Sequence, residues 1–309
     1  MPFASPKTLP TPSGTQLTLY MQHAKRRPRA VVQVNHGLAE HAGRYARFAD
    51  FLAGQGFHVY AHDHRGHGAT RAPGAPKGSF GPGPSASIVV ADVLAVHEAI
   101  AADHPGLPVI LFGHSMGAQI ALNFLSAHPK RCAGAAIWNA PLATALEARA
   151  GKLVLAWERF RLGSDVPSRI MPRLTFSAWT KAVPDAVTPF DWLSRDPKEV
   201  RKYIEDPDCG WLPTVDMWRD IFDFNLKIAA ADAFAQVRRT MPVQLVGGGA
   251  DPSTKGGTVM RRLERRLHRE GFSNLETRIY EQARHETLNE VNREKAMADF
   301  AGWAKKIAG

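Results

Sequence analysis

Along the chain, short runs of β-branched and other apolar residues alternate with longer stretches whose apolar positions recur at every third or fourth residue. The runs at residues 16–20, 30–35, 58–61, 109–112, 134–138, 243–246 and 276–280 have strand length, and several are followed closely by Gly, His or Asp. The stretches at 44–54, 87–103, 116–128 and 292–306 predict helices. This alternation predicts an α/β fold, a mostly parallel sheet wrapped by helices. In such a sheet ligands gather beyond the C-terminal ends of the strands.

The rhythm breaks between residues 141 and 235. That stretch holds five of the seven tryptophans, Trp157, Trp179, Trp192, Trp211 and Trp218. It is rich in proline, contains no clear strand, and groups its apolar residues into short helical pieces. We read residues 141–235 as an inserted helical cap and residues 1–140 with 236–309 as the core that it interrupts.

Composition narrows the picture. With 309 residues, 44% of them hydrophobic, the chain can bury a large core. The longest apolar stretch, 86–102, is interrupted by Asp92, His97 and Glu98, so no membrane-spanning segment is expected. The first twenty residues do not read as a secretory signal. Two cysteines, Cys132 and Cys209, form neither a disulfide framework nor a metal-type spacing. A cytoplasmic location is the expectation. The net charge of +10 is densest at 260–270, where Arg261, Arg262, Arg265, Arg266 and Arg269 surround Met260, Leu263 and Leu267 at helical spacing. A solvated helix face is the plain expectation, and peripheral contact with anionic membranes or micelles is the sharper one. No nucleic-acid-binding pattern is present, so that class of partner is not expected. Oligomeric state is not written in the sequence.

Candidate chemistry begins at Gly113-His114-Ser115-Met116-Gly117, which matches the Gly-x-Ser-x-Gly nucleophile elbow. The match gains force from its setting, since a strand-like run precedes it and a helical pattern follows. A serine hydroxyl needs a base held by an acid. Asp251 follows the run at 243–246, and His285 follows the run at 276–280, so strand ends would gather both beside Ser115. Singly, each has a plain structural explanation; the ordered trio is the signal. A fourth run ends in His36-Gly37-Leu38, a turn whose backbone N–H groups face the same rim. The N–H groups of Leu38 and Met116 are the candidate oxyanion donors. The cluster His62, His64 and His67 has a metal-like spacing, but Gly66 stands where a ligating Asp would be needed, and a glycine-rich turn explains it. Neither a metal nor an organic cofactor is expected.

Together these blocks resemble the monoacylglycerol lipase and bacterial lysophospholipase branch of the α/β hydrolases, with its serine aminopeptidase S33-type hydrolase domain. The resemblance rests on His36-Gly37-Leu38-Ala39-Glu40-His41-Ala42-Gly43-Arg44-Tyr45, on Asp63-His64-Arg65-Gly66-His67-Gly68, on the elbow, and on Arg284-His285-Glu286-Thr287-Leu288-Asn289-Glu290. It implies the α/β-hydrolase fold with an eight-stranded sheet, a Ser115–His285–Asp251 triad, and hydrolysis of carboxylic esters of single-chain lipids. Two positions depart from the branch: Ala39 replaces a usual Gly, and Ala118 stands where a further Gly is common. The cap is covered least. General carboxylesterase action on short or aryl esters, proline-type aminopeptidase or amidase action, and a non-catalytic binding role remain as alternatives.

Overall fold

The computed structural model describes residue 3 and residues 5–309. Eight strands form one sheet: β1 (Lys7–Pro10), β2 (Gln16–Gln22), β3 (Ala30–Asn35), β4 (Phe57–His62), β5 (Val109–His114), β6 (Gly134–Trp138), β7 (Val243–Gly248) and β8 (Leu275–Tyr280). Their order is β1-β2-β4-β3-β5-β6-β7-β8. The first two pairings, β1 with β2 and β2 with β4, are antiparallel, and the rest are parallel. Every residue of β3, β4, β5, β6 and β7 is buried. That is why these strands read as continuous apolar runs rather than alternating ones.

Helices cover both faces. On one side lie α1 (Ala46–Gly54) and, from the chain's end, a helix at Arg293–Ala308; Phe48, Leu52, Phe300 and Trp303 fill the layer beneath them. On the other side lie α2 (Ser85–Asp103) and α3 (Met116–Ala127). By length and composition α2 meets the requirements of a membrane span, with a mean hydropathy of 1.6, which corrects the expectation that no stretch would. Its surroundings are those of a core helix: buried Asp92 pairs with Arg65 at 2.7 Å, and Val93 O accepts from Gln33 Nε2 of β3.

Between β6 and β7 the chain makes five helices: α4 (Ala145–Leu162), α5 (Met171–Leu174), α6 (Phe176–Lys181), α7 (Pro197–Glu205) and α8 (Val215–Ala229). A capping box of Thr144 and Glu147 starts α4, and Thr214 caps α8. The apolar side of α8 places Met217, Trp218, Ile221 and Phe224 in the same buried cluster as Ile120 and Phe124 of α3. The remaining elements are α9 (Thr258–Arg269) and the last helix, α10 (Arg293–Ala308).

Candidate active site

Ser115 sits at the hinge between β5 and α3 with φ 55° and ψ −119°, a conformation that side chains other than glycine rarely adopt. The elbow has room for no other arrangement. A Cβ at position 113 would lie 2.3 Å from Gly117 O, and one at position 117 would lie 2.1 Å from Asn35 O. The Ser115 N–H donates to Trp138 O at 2.9 Å, which ties the turn to β6.

The three side chains expected from sequence meet here. His285 Nε2 lies 2.9 Å from Ser115 Oγ, and His285 Nδ1 lies 3.0 Å from Asp251 Oδ2. Asp251 is fully buried. Burial alone would raise its pKa, but the His285 ring and hydrogen bonds from Asn139 and Ser253 outweigh it and hold the carboxyl below its ordinary value. Three partners of Asp251 escaped the sequence reading. Asn139 Nδ2 donates to Oδ2 at 3.1 Å, Thr254 Oγ1 donates to Oδ2 at 2.9 Å, and Ser253 Oγ donates to Oδ1 at 2.7 Å. Ser253 Oγ also stands 2.9 Å from His285 Nδ1, so the imidazole proton is shared between a carboxylate and a hydroxyl. The position of Asn139 just past β6, where polar residues face the rim, was the available signal.

Leu38 and Met116 line the cavity beside Ser115. Met116 heads α3, where the first N–H groups lack intrahelical acceptors. Neither N–H donates to a backbone acceptor among the described residues, so both are free to bind an oxyanion. The Ala39 departure has a visible consequence: its φ is 54°, a conformation that favours glycine. Its carbonyl accepts from Tyr203 Oη at 2.8 Å and from Gly210 N at 3.0 Å, so α7 and the turn that follows it hold this strained loop.

Beneath the loop lies a buried charged network. Glu40 Oε1 accepts from Gly37 N at 2.6 Å and from Tyr45 Oη at 2.9 Å. Arg44 donates to Glu40 at 2.6 Å and to both oxygens of Glu286 at 2.6 and 2.7 Å. Burial works against the Glu40 carboxylate, yet Arg44 and His114 keep its pKa well below the ordinary value. His114 lies 3.4 Å from Glu40 Oε1 and 3.0 Å from His285 O. Burial would lower the pKa of His114, and the hydrogen bond and charge of Glu40 push it up instead. One network therefore braces both the Gly37–Leu38 turn and the His285 loop.

Above Ser115 the cavity of about 210 Å³ is walled by Phe176, Trp179, Phe190, Trp192, Trp211 and Trp218. Among the described residues the acidic groups that line it are Glu40 and Glu286, and both are paired with Arg44. The rings of His62, His64 and His67 are buried next to this site, with Nε2 of all three unpartnered by protein atoms. Burial first, then the charges of His36, His62 and His67, lower the pKa of His64. Among the described residues the three do not bring ligating nitrogens together.

Fold and site define a class, the hydrolases of the α/β-hydrolase fold. Residues 26–292 match the family described as serine aminopeptidase, S33. The chain belongs to that family, and among proteins of known activity it is similar to monoacylglycerol lipases. The human monoglyceride lipase is 33% identical over 180 residues, which are 58% of this chain and 52% of that protein. The chain thus aligns with about half the length of that relative. The monoacylglycerol lipase of Mycolicibacterium smegmatis is 28% identical over 89% of this chain and 88% of its own. In shape, the chain is similar to a thermostable carboxyl esterase from Bacillus coagulans, with a TM-score of 0.89, 23% identity and full coverage of both chains.

Proposed function

We propose that this protein hydrolyses carboxylic esters that carry one long acyl chain, monoacylglycerols first and lysophospholipids second, through an acyl-enzyme on Ser115. The observation that carries this reading is a Ser115–His285 contact of 2.9 Å at the floor of a tryptophan-walled cavity. Ser115 Oγ attacks the ester carbonyl while His285 Nε2 takes its proton. The N–H groups of Leu38 and Met116 hold the oxyanion, an interaction worth about 3–4 kcal/mol per donor where one has been removed elsewhere. The imidazolium, stabilised by Asp251, then protonates the leaving alcohol as the C–O bond breaks. Water, deprotonated by His285, releases the fatty acid and restores Ser115.

An aminopeptidase needs an uncompensated carboxylate for the substrate's free amine. Glu147, Glu158, Asp185, Asp191, Glu199, Glu205 and Asp216 of the intervening segment all lie off the cavity lining, which favours esters. Approach to a lipid surface is supported by α4, where Leu146, Leu153, Trp157 and Phe160 are exposed, Phe160 by 90%, beside exposed Arg149, Arg159 and Arg161. Large exposed apolar groups in one patch mark interaction surfaces, and cations suit anionic lipid. A panel of monoacylglycerols, lysophospholipids, short aryl esters and aminoacyl anilides tests the proposal. We expect kcat/KM highest for the single-chain lipids and undetectable for the anilides. Turnover of anilides above that of esters would overturn it.

A further inference from the structure

At the rim opposite Ser115, three imidazoles arrive from three elements. β2 and β4 run antiparallel with Gln22 beside Val59, so His23, just past β2, comes to lie opposite His58 of β4. His104 joins them from the C-terminal cap of α2. One nitrogen of each ring lies within 4.8 Å of those of the other two. His23 Nδ1 and His58 Nδ1 are 3.3 Å apart. Two nitrogens bound to one ion at about 2.0–2.1 Å and at tetrahedral angles stand about 3.3 Å from each other. The exposed His23 can swing to close the remaining distance.

From this convergence we infer that His23, His58 and His104 form a binding site for a borderline divalent ion such as Zn²⁺, separate from the hydrolytic centre. Three imidazoles suit zinc, copper or nickel rather than magnesium or calcium, and the exposed edge at His23 leaves the fourth position to water.

The surroundings favour ligation. Tyr60 Oη donates to Asp103 Oδ2 at 2.9 Å and lies 2.9 Å from His104 Nε2. A phenol has one proton; with that proton on Asp103, the phenol oxygen accepts from His104 Nε2–H. This fixes the tautomer that leaves the lone pair of His104 Nδ1 free, the outer-shell arrangement typical of metal-binding histidines. The His58 and His104 rings are stacked, with centroids 4.0 Å apart. The Ala24 N–H donates to His58 Nδ1 at 3.2 Å, and an ion bound at that nitrogen displaces this contact.

The cluster lies at the N-terminal end of β4 and Ser115 beyond the C-terminal end of β5, about 20 Å away for six-residue strands. The ion would therefore fasten β2, β4 and α2 together and take no part in acyl transfer.

The test uses the untagged full chain, stripped by a chelator and titrated with ZnCl₂ by calorimetry, with thermal melting and ester turnover measured alongside. We expect one ion per chain at micromolar affinity and a higher Tm with zinc. Turnover should be the same with and without it. His23→Ala, an exposed change that leaves the fold intact by circular dichroism, and His104→Asn should each weaken binding at least tenfold. His41, Asp206 and Cys209 also bring three ligating atoms together, so Cys209→Ser is the control and should leave binding unchanged. Absence of saturable binding, binding that survives the His23→Ala and His104→Asn double change, or binding lost in Cys209→Ser would each overturn the inference.

Discussion

The backbone of Ser115, at φ 55°, costs roughly 1–3 kcal/mol, and its neighbours at positions 113 and 117 leave it nowhere to relax. Replacing it with glycine separates stability from chemistry. Ser115→Gly should resist urea slightly better than the parent, by about 1 kcal/mol, while turnover falls by several orders of magnitude and labelling by a fluorophosphonate disappears. Earlier unfolding of the variant, or labelling at unchanged stoichiometry, would contradict this assignment. Glu40 makes a prediction about pH. Its folded pKa lies below the unfolded value of about 4.3, so its stabilising contribution is present above that pH and is lost as pH falls through the folded value. Glu40→Gln should therefore be least stable relative to the parent at neutral pH. The gap should be about 1–3 kcal/mol and should close as the solution is acidified below about pH 4, measured by denaturant unfolding at each pH. A gap that widened on acidification would mean that Glu40 is not held as a carboxylate.

At the scale of elements, α9 and α4 divide between them the surface roles that charge alone had assigned to α9. Met260, Leu263 and Leu267 are buried, as their spacing predicts. Arg262 donates to Leu142 O and Arg266 to Ala230 O, so two of the five arginines fasten the helix to the chain on either side of α4–α8. Only Arg261, Arg265 and Arg269 are exposed. Leu153→Ser with Phe160→Ser on α4 should lower turnover on lipid vesicles several-fold and leave a soluble short ester unaffected. Replacing Arg261, Arg265 and Arg269 with Gln should have the smaller effect, fading with added salt because exposed charges are screened over about 10 Å at 0.1 M. Equal loss on both substrates would point to misfolding instead. All seven expected strands are present: β3 to β7 were legible because buried parallel strands write themselves as apolar runs, while β2 shows the alternation of a half-buried antiparallel strand. β1 was missed because Lys7–Pro10 is an edge strand with three of its four residues exposed and no pattern to betray it. The short helices between β6 and β7 were equally hard to delimit, since α4 buries Glu158, bonded to Ser168 Oγ and Arg169 N, and exposes Leu146 and Phe160. The trio Ser115, Asp251 and His285 was legible because each follows its own strand. Glu286, bound to Arg44 across 242 positions, was not, because no local spacing records a partner so distant.

For the whole molecule the decisive fact is that the segment between β6 and β7 is continuous with the rest. Phe224 and Met217 of α8 share one buried cluster with Ile120 of α3 and Leu245 of β7. Removing residues 141–235 would uncover that cluster, and a loss of several buried large side chains costs about 3–5 kcal/mol each. We expect the deleted chain to be insoluble or unfolded by circular dichroism; a folded, fluorophosphonate-reactive remainder would show that the two parts are energetically independent. The same continuity reaches His285. His285 N donates to Trp192 O at 3.3 Å and Glu286 N to Leu193 O at 2.7 Å, while Arg284 Nη1 reaches Asp191 O at 2.6 Å. The wall of the cavity and the backbone that carries the imidazole are thus joined like two leaves on one pin. Through these bonds a shift of the Trp192 backbone is transmitted to position 285, whose ring stands 2.9 Å from Ser115 Oγ, so the wall sets the registry of the imidazole.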